Sequence, residues 1–328
     1  MNLLVRISDV AVINEMFNIF LILIAAAIIF YVILFIISFF AFRSGFVPPK
    51  EIAKGKVSKR WSNYKDQLES NYNELENLEK EEVILSGYKK RKISAHFIKS
   101  SSNSKKVVIF SHGWKNTGLN DYSSAGMFWH RNDFNVLIIN HQAHGKSEGK
   151  YIGFGGDSDK YNLRCWINYL NTKFDNQCEI YLHGVSMGAT TVLGVASEKI
   201  DNLKGIIADS CYKSAYNQCK HVIKRQYKLL GNIISFNIRI YARIVAGCKF
   251  KNCDVRNSLI YSKYPILFLH GEKDDFVPTS NSIECYNLCT SDKEIVIYDD
   301  ATHIMACMMY QRKYEEDLLK FIEKQTNC

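Results

Sequence analysis

Residues 20–42 run for 23 positions without a charge, a proline or a glycine. About 20 such residues cross a bilayer as a helix, so this stretch predicts a transmembrane helix behind an N-terminal tail, 1–19. The run is too long for the apolar part of a secretory signal peptide, and no small-x-small cleavage site closes it. Residues 43–82 then read as a charged juxtamembrane segment rich in Lys, Glu, Asn and Ser. Within it Tyr64, Leu68, Tyr72, Leu75 and Leu78 recur at three or four residue spacing, which predicts an amphipathic helix. From 83 to 328 short apolar runs alternate with stretches of helical period. Strands are expected at 82–87, 94–99, 106–111, 135–140, 179–184, 204–209, 265–270 and 294–298. Helices are expected at 121–132, 158–173, 187–199, 280–289 and 307–325. Such alternation implies a mostly parallel eight-stranded sheet with helices on both faces and an antiparallel first pair.

The strand at 179–184 runs directly into Gly184-Val185-Ser186-Met187-Gly188, and a buried helix follows. Strand, G-x-S-x-G, helix is the setting of a nucleophile elbow, in which a strained turn lifts a serine hydroxyl out of the sheet. The alternative is a structural Gly-Ser turn. A serine hydroxyl is a poor nucleophile until a base takes its proton, and the base needs an acid to hold its tautomer. The strand at 265–270 leads into His270-Gly271-Glu272-Lys273-Asp274-Asp275, placing Asp274 in a loop at a strand's carboxyl end, where open α/β sheets gather functional groups. Asp275 and Asp209 compete for the role of acid. The last strand precedes Asp299-Asp300-Ala301-Thr302-His303, so His303 also follows a strand. The order Ser186, Asp274, His303 is nucleophile, acid, base.

With these residues in view the chain resembles the α/β-hydrolase-fold serine hydrolases, most of all the bacterial prolyl-oligopeptidase-like and fermentation–respiration-switch-like branch. The similarity covers roughly 83–325 and is carried by Val107-Val108-Ile109-Phe110-Ser111-His112-Gly113-Trp114, Ala143-His144-Gly145-Lys146-Ser147, the serine turn, Ile206-Ile207-Ala208-Asp209-Ser210 and the two downstream loops. It implies an oxyanion hole formed by the backbone N–H groups of Met187 and Trp114. It also implies a helical cap, at about 211–262, and no cofactor. One departure stands out. Relatives tend to carry Asp-x-Arg before the Ala-His-Gly turn, and here the place reads Asn140-His141-Gln142, without the arginine that braces the loops beneath the site.

Charge sharpens the reading of the cap. The net charge is +9, and residues 211–262 hold ten Lys or Arg against the single acid Asp254. Amphipathic helices there predict either a solvated basic face or a lid that meets an anionic or lipidic acyl substrate. Basic residues also dominate the carboxyl side of the apolar run: Arg43, Lys50, Lys54, Lys56, Lys59 and Arg60. The positive-inside rule therefore predicts a single-pass protein of the cell membrane with its catalytic domain in the cytoplasm. All ten cysteines lie from Cys165 onward without zinc-site spacing, and free thiols suit that compartment. His112, His144, His183 and His270 abut glycines or strand ends and read as packing or hydrogen-bonding residues. No nucleic-acid motif is present.

The chain is thus expected to be a membrane-anchored hydrolase of acyl esters or thioesters. A peptidase or amidase, or a non-catalytic membrane-bound scaffold of the same fold, are the alternatives. A hydrolase domain of this kind should remain soluble and active once residues 1–42 are removed.

Overall fold

Val107, Val108, Ile109 and Phe110 carry no polar side chain because both faces of their strand are covered. The computed structural model describes residues 2–49, 59–125 and 127–326; Lys50, Lys54 and Lys56 of the basic flank, and Cys328, lie outside them. Its strands are β1 (Glu81–Ser86), β2 (Lys92–Ile98), β3 (Lys106–Ser111), β4 (Asn135–Ile139), β5 (Glu179–Val185), β6 (Leu203–Asp209), β7 (Ile266–Gly271) and β8 (Lys293–Tyr298). They form one sheet in the order β1-β2-β4-β3-β5-β6-β7-β8. β2 pairs antiparallel with β1 and with β4, and every other neighbouring pair is parallel.

The helices are α1 (Asn2–Phe46), α2 (Lys65–Asn77), α3 (Gly118–Ser124), α4 (Phe128–Arg131), α5 (Asp157–Lys173), α6 (Met187–Leu193), α7 (Ala215–Tyr227), α8 (Gly231–Ile244), α9 (Arg256–Ile260), α10 (Ser280–Leu288), α11 (Ala306–Met309) and α12 (Gln311–Thr326). Successive strand side chains point to opposite faces. Val107 and Ile109 accordingly join Leu163 and Trp166 of α5 and Val192 of α6 on one face. Val108 and Phe110 join Leu75 of α2, Tyr122 of α3 and Leu318 of α12 on the other.

Three expected helices differ. The one at 121–132 is two, α3 and α4, because Met127 takes a left-handed conformation at φ 62° between them. The one at 187–199 ends at Leu193, where successive three-residue bonds (Val195 N–H to Val192 O, Ala196 N–H to Leu193 O) tighten the chain into turns. The one at 307–325 breaks at Tyr310 into α11 and α12.

The larger difference is at the amino end. α1 takes in the expected tail, overruns 20–42 on both sides and stops at Phe46, just ahead of Pro48-Pro49. Val10–Phe46 is long and apolar enough to cross a membrane. Its last turns dock on the α/β domain. Phe42 and Phe46 are buried in a third apolar cluster with Ile234 and Ile238 of α8, Ile223 of α7 and Phe250. The Phe42 ring meets Phe46 at 4.8 Å and Tyr151 and Tyr241 at 5.7 Å each. Polar contacts tie the same helices. Asn237 of α8 donates to Ser38 Oγ (3.2 Å) and accepts from Tyr31 OH (3.1 Å), and Tyr241 OH donates to the Phe35 carbonyl (3.0 Å).

Candidate active site

Ser186 stands between β5 and α6 at φ 54°, ψ −112°, a conformation that non-glycine residues occupy only under constraint. The flanking glycines are required by space. A Cβ on Gly188 would lie 1.9 Å from the Ser111 carbonyl oxygen, and one on Gly184 would lie 2.3 Å from the Gly188 carbonyl oxygen. The β7–α10 loop brings Asp274 to the serine, and the β8–α11 loop brings His303. His303 Nε2 is 2.9 Å from Ser186 Oγ, and its Nδ1 is 2.6 Å from Asp274 Oδ2. All three side chains are buried, and the Phe276 ring packs 5.0 Å from the imidazole.

Burial alone would raise the pKa of Asp274. Hydrogen bonds from His270 and His303, with their charge, outweigh it and hold the carboxyl well below the ordinary range. Its other oxygen accepts the N–H groups of Phe276 (3.0 Å) and Val277 (2.8 Å). The competing acids go elsewhere. Asp209 accepts from Ser210 Oγ and Tyr314 OH, and Asp275 pairs with Arg225 at the surface.

Met187 is the first residue of α6, so its N–H belongs to the first turn, whose amides have no partner within a helix. Trp114 follows Gly113, whose Cβ position is 3.5 Å from Ser186 Cβ. Two residues clamp that glycine. Asp121 Oδ2 accepts the Gly113 N–H at 2.6 Å. His112 Nε2 accepts the His141 N–H at 3.1 Å, so its ring proton is on Nδ1, which donates to the Gly113 carbonyl at 2.7 Å. In a trans peptide C=O and N–H point opposite ways. Holding the Gly113 carbonyl therefore also aims the Trp114 N–H. Burial pushes Asp121 up to about 6 and His112 well below its ordinary value.

A family model of hydrolases described as serine aminopeptidase, S33, matches residues 102–235. Among curated relatives, the uncharacterized protein YqkD of Bacillus subtilis is 25% identical over 218 residues, 66% of this chain and 71% of its own. An uncharacterized membrane protein of Saccharomyces cerevisiae is 25% identical over 65% of this chain and 69% of its own. A Pyrococcus furiosus esterase, Pf2001, superposes with a TM-score of 0.65 at 21% identity, over 85% of this chain and 98% of the esterase. The chain has the α/β-hydrolase fold.

Asn140, His141 and Gln142 replace the missing arginine with neutral bonds and a borrowed guanidinium. Asn140 donates to Ser94 Oγ (3.1 Å), His141 Nε2 meets Ser111 Oγ (2.9 Å), and Gln142 accepts from Arg91 (3.0 Å) while donating to the Tyr151 carbonyl (2.7 Å). Among the described residues no group of His, Cys, Asp or Glu has the arrangement of a metal site. The nine described cysteines are free thiols.

A cavity of ≈ 360 Å³ starts at Ser186 and runs beneath the cap. Trp114 and Phe276 stack at its entrance wall, 6.2 Å between ring centres. Trp114 Nε1 donates to the Gly45 carbonyl of α1 at 2.9 Å. Sequence reasoning missed Asp121 and the His270–Asp274 contact (3.1 Å). It also missed that α1 lines this cavity. A hydropathy pattern marks a side chain as apolar without telling lipid from protein as its neighbour.

Proposed function

We propose that this chain is a membrane-anchored serine hydrolase that cleaves acyl esters or thioesters. The observation that carries the reading is the buried hydrogen-bonded series Ser186 Oγ, His303 Nε2, His303 Nδ1, Asp274 Oδ2 at 2.9 and 2.6 Å. His303 takes the Ser186 proton as Oγ bonds to the acyl carbon, and Asp274 holds the imidazole in the tautomer that accepts it. The carbonyl oxygen gains the negative charge and meets the amides of Met187 and Trp114, each worth roughly 3 kcal/mol of barrier. The bond to the alcohol or thiol breaks, and His303 returns its proton to that leaving group. Water, deprotonated by the same imidazole, then attacks the acyl-serine. The acid is released, and Ser186 recovers its proton.

The family model's description raises an aminopeptidase as the second reading. Binding a free amino terminus calls for a carboxylate near the nucleophile. No Asp or Glu is among the described residues that line the cavity, which favours the ester. In this reading α1 is the anchor, and the basic flank Arg43, Lys50, Lys54, Lys56, Lys59 and Arg60 supports a cytoplasmic hydrolase domain.

A fluorophosphonate probe should label the full-length protein in membranes, and Ser186→Ala should abolish both label and hydrolysis of an activated acyl ester. Folded wild-type protein that neither takes the label nor turns over any ester would make it a scaffold. Protease added to intact cells should spare the domain; cleavage would place it outside.

A further inference from the structure

The reading of Ser186 as an acyl-transfer nucleophile leaves open which acyl group it serves, and the cavity narrows this. Its floor is buried: Ser186, Val277 and Ile238. Its outer wall is Phe40, Ala41 and Ser44 of α1, and Phe40 is 66% exposed at the rim. Phe40 and Ala41 belong to the last turn of the apolar run 20–42, which is about 34 Å long at 1.5 Å per residue. A hydrocarbon core is about 30 Å thick. The rim of the cavity therefore coincides with the edge of the hydrocarbon.

α8 supports the same placement independently. Its inner side, Ile234 and Ile238, packs in the protein, while Ile233, Phe236, Ile240 and Ile244 form a stripe along its outer side at helical spacing. Ile244 is 76% exposed, and Leu229, just before the helix, is 95% exposed. Asn237 and Tyr241 turn from this stripe onto α1, reaching Tyr31, about 16 Å along the helix from Phe42. Polar side chains bridging two helices inside an apolar zone are how helices associate in a bilayer. Arg243 lies exposed on the stripe's far flank, placed to reach headgroups, while the Arg239 guanidinium packs over the Tyr216 ring of α7 at 5.5 Å. α8 has 14 residues, too few to cross, so it dips into one leaflet beside α1.

We propose that the cavity is the binding site for a long fatty-acyl chain, and that the substrate is an acyl ester of a membrane glycerolipid entering sideways from the bilayer between α1 and α7. The chain lies along Phe40, Ala41 and Val222, and the ester, which lipids hold at the hydrocarbon edge, comes to Ser186. The anchor helix is thus part of the substrate site.

The test uses the full-length protein in phosphatidylcholine nanodiscs with palmitoyl and butyryl esters of one chromogenic alcohol. Ala41→Trp on α1 and Val222→Trp on α7 fill the cavity from opposite sides. Each should lower the palmitoyl-to-butyryl ratio of kcat/KM tenfold or more, whereas Ile33→Trp, on the lipid-facing side of α1, should hold it within twofold. An unchanged ratio in both cavity variants overturns the proposal. So does a wild-type enzyme that cleaves a soluble palmitoyl-cysteine peptide but no bilayer ester. A photoreactive palmitoyl chain, cross-linked to unsubstituted protein and mapped by mass spectrometry, should mark Ala41, Ser44 or Val222; marks confined to other surfaces overturn it. Because cross-linking needs no turnover, it separates failure of the pocket from failure of the hydrolase reading, which would show as no fluorophosphonate label and no butyryl cleavage.

Discussion

Phe42→Ala tests whether the anchor is a structural part of the enzyme. The Phe42 ring is 0% exposed, although the residue ends an apolar run that composition alone assigns to lipid. Its neighbours are the rings of Phe39, Phe46, Tyr151 and Tyr241 at 4.8–6.4 Å, drawn from α1, the β4–α5 connection and α8. Replacing a buried Phe by Ala costs about 3–5 kcal/mol, through lost transfer energy and the cavity left behind. At about 2–4 °C per kcal/mol for a domain of this size class, the midpoint should fall by roughly 6–20 °C. The assay is thermal loss of fluorophosphonate labelling in nanodiscs, since labelling requires an intact site. Ile33→Ala, half exposed on the same helix, should shift it far less. Equal shifts, or a Phe42→Ala shift below about 2 °C, would refute the reasoning and return α1 to the role of a tether. The same logic reverses the expectation that removing residues 1–42 leaves an active domain. That deletion takes away Leu34, Ser38 and Phe42, uncovers Asn237 and Tyr241, and opens the cavity wall.

The acid assignment predicts that Asp274→Asn lowers kcat/KM for an activated ester by orders of magnitude, as the wrong imidazole tautomer is then favoured. Asp209→Asn, whose carboxylate is bonded to Ser210 and Tyr314, should cost less than tenfold in the same assay; the reverse ranking would move the acid to β6. Asp121 is raised from 3.8 to about 6, so the folded state keeps its proton where the unfolded state has lost it. Stability from this group is complete below about pH 4 and falls by up to about 3 kcal/mol as pH rises through 6, and Asp121→Asn should flatten that slope in denaturant titrations. Vesicles containing anionic lipid should raise turnover of a bilayer ester, by roughly tenfold or less, and Lys224→Gln with Lys228→Gln or added salt should shrink the gain; equal rates at low salt on neutral and anionic vesicles would exclude a role for the basic cap.

The strands and the three site loops were legible because β-strand burial leaves an unmistakable trace. Runs such as Val107 to Phe110 and Ile266 to Leu269 are apolar on both faces, and each stops where a functional loop starts. Ser186 was legible because only glycine fits at 184 and 188. What escaped depends on geometry without a local pattern. Nothing in Leu119-Asn120-Asp121 announces a carboxylate that reaches back eight residues to an amide. The break at Met127 interrupts an apolar stretch that reads as one helix. The docking of α1 was hidden most completely, because a phenylalanine that faces Tyr241 and one that faces an acyl chain look alike in sequence.

The seating of Phe42 and Phe46 in the domain has a kinetic consequence. A catalytic domain on a flexible leash samples a hemisphere above its membrane and meets whatever the aqueous phase brings. Here the last turns of α1 pack in one apolar cluster with α7 and α8 beside the cavity, so the proposed anchor would set the height and heading of Ser186. For the bilayer ester proposed above, the collisions that count occur by lateral diffusion in two dimensions. The variable that sets the rate is then the mole fraction of substrate in the leaflet. Diluting the membranes in buffer leaves that fraction untouched, while diluting the substrate with inert lipid does not.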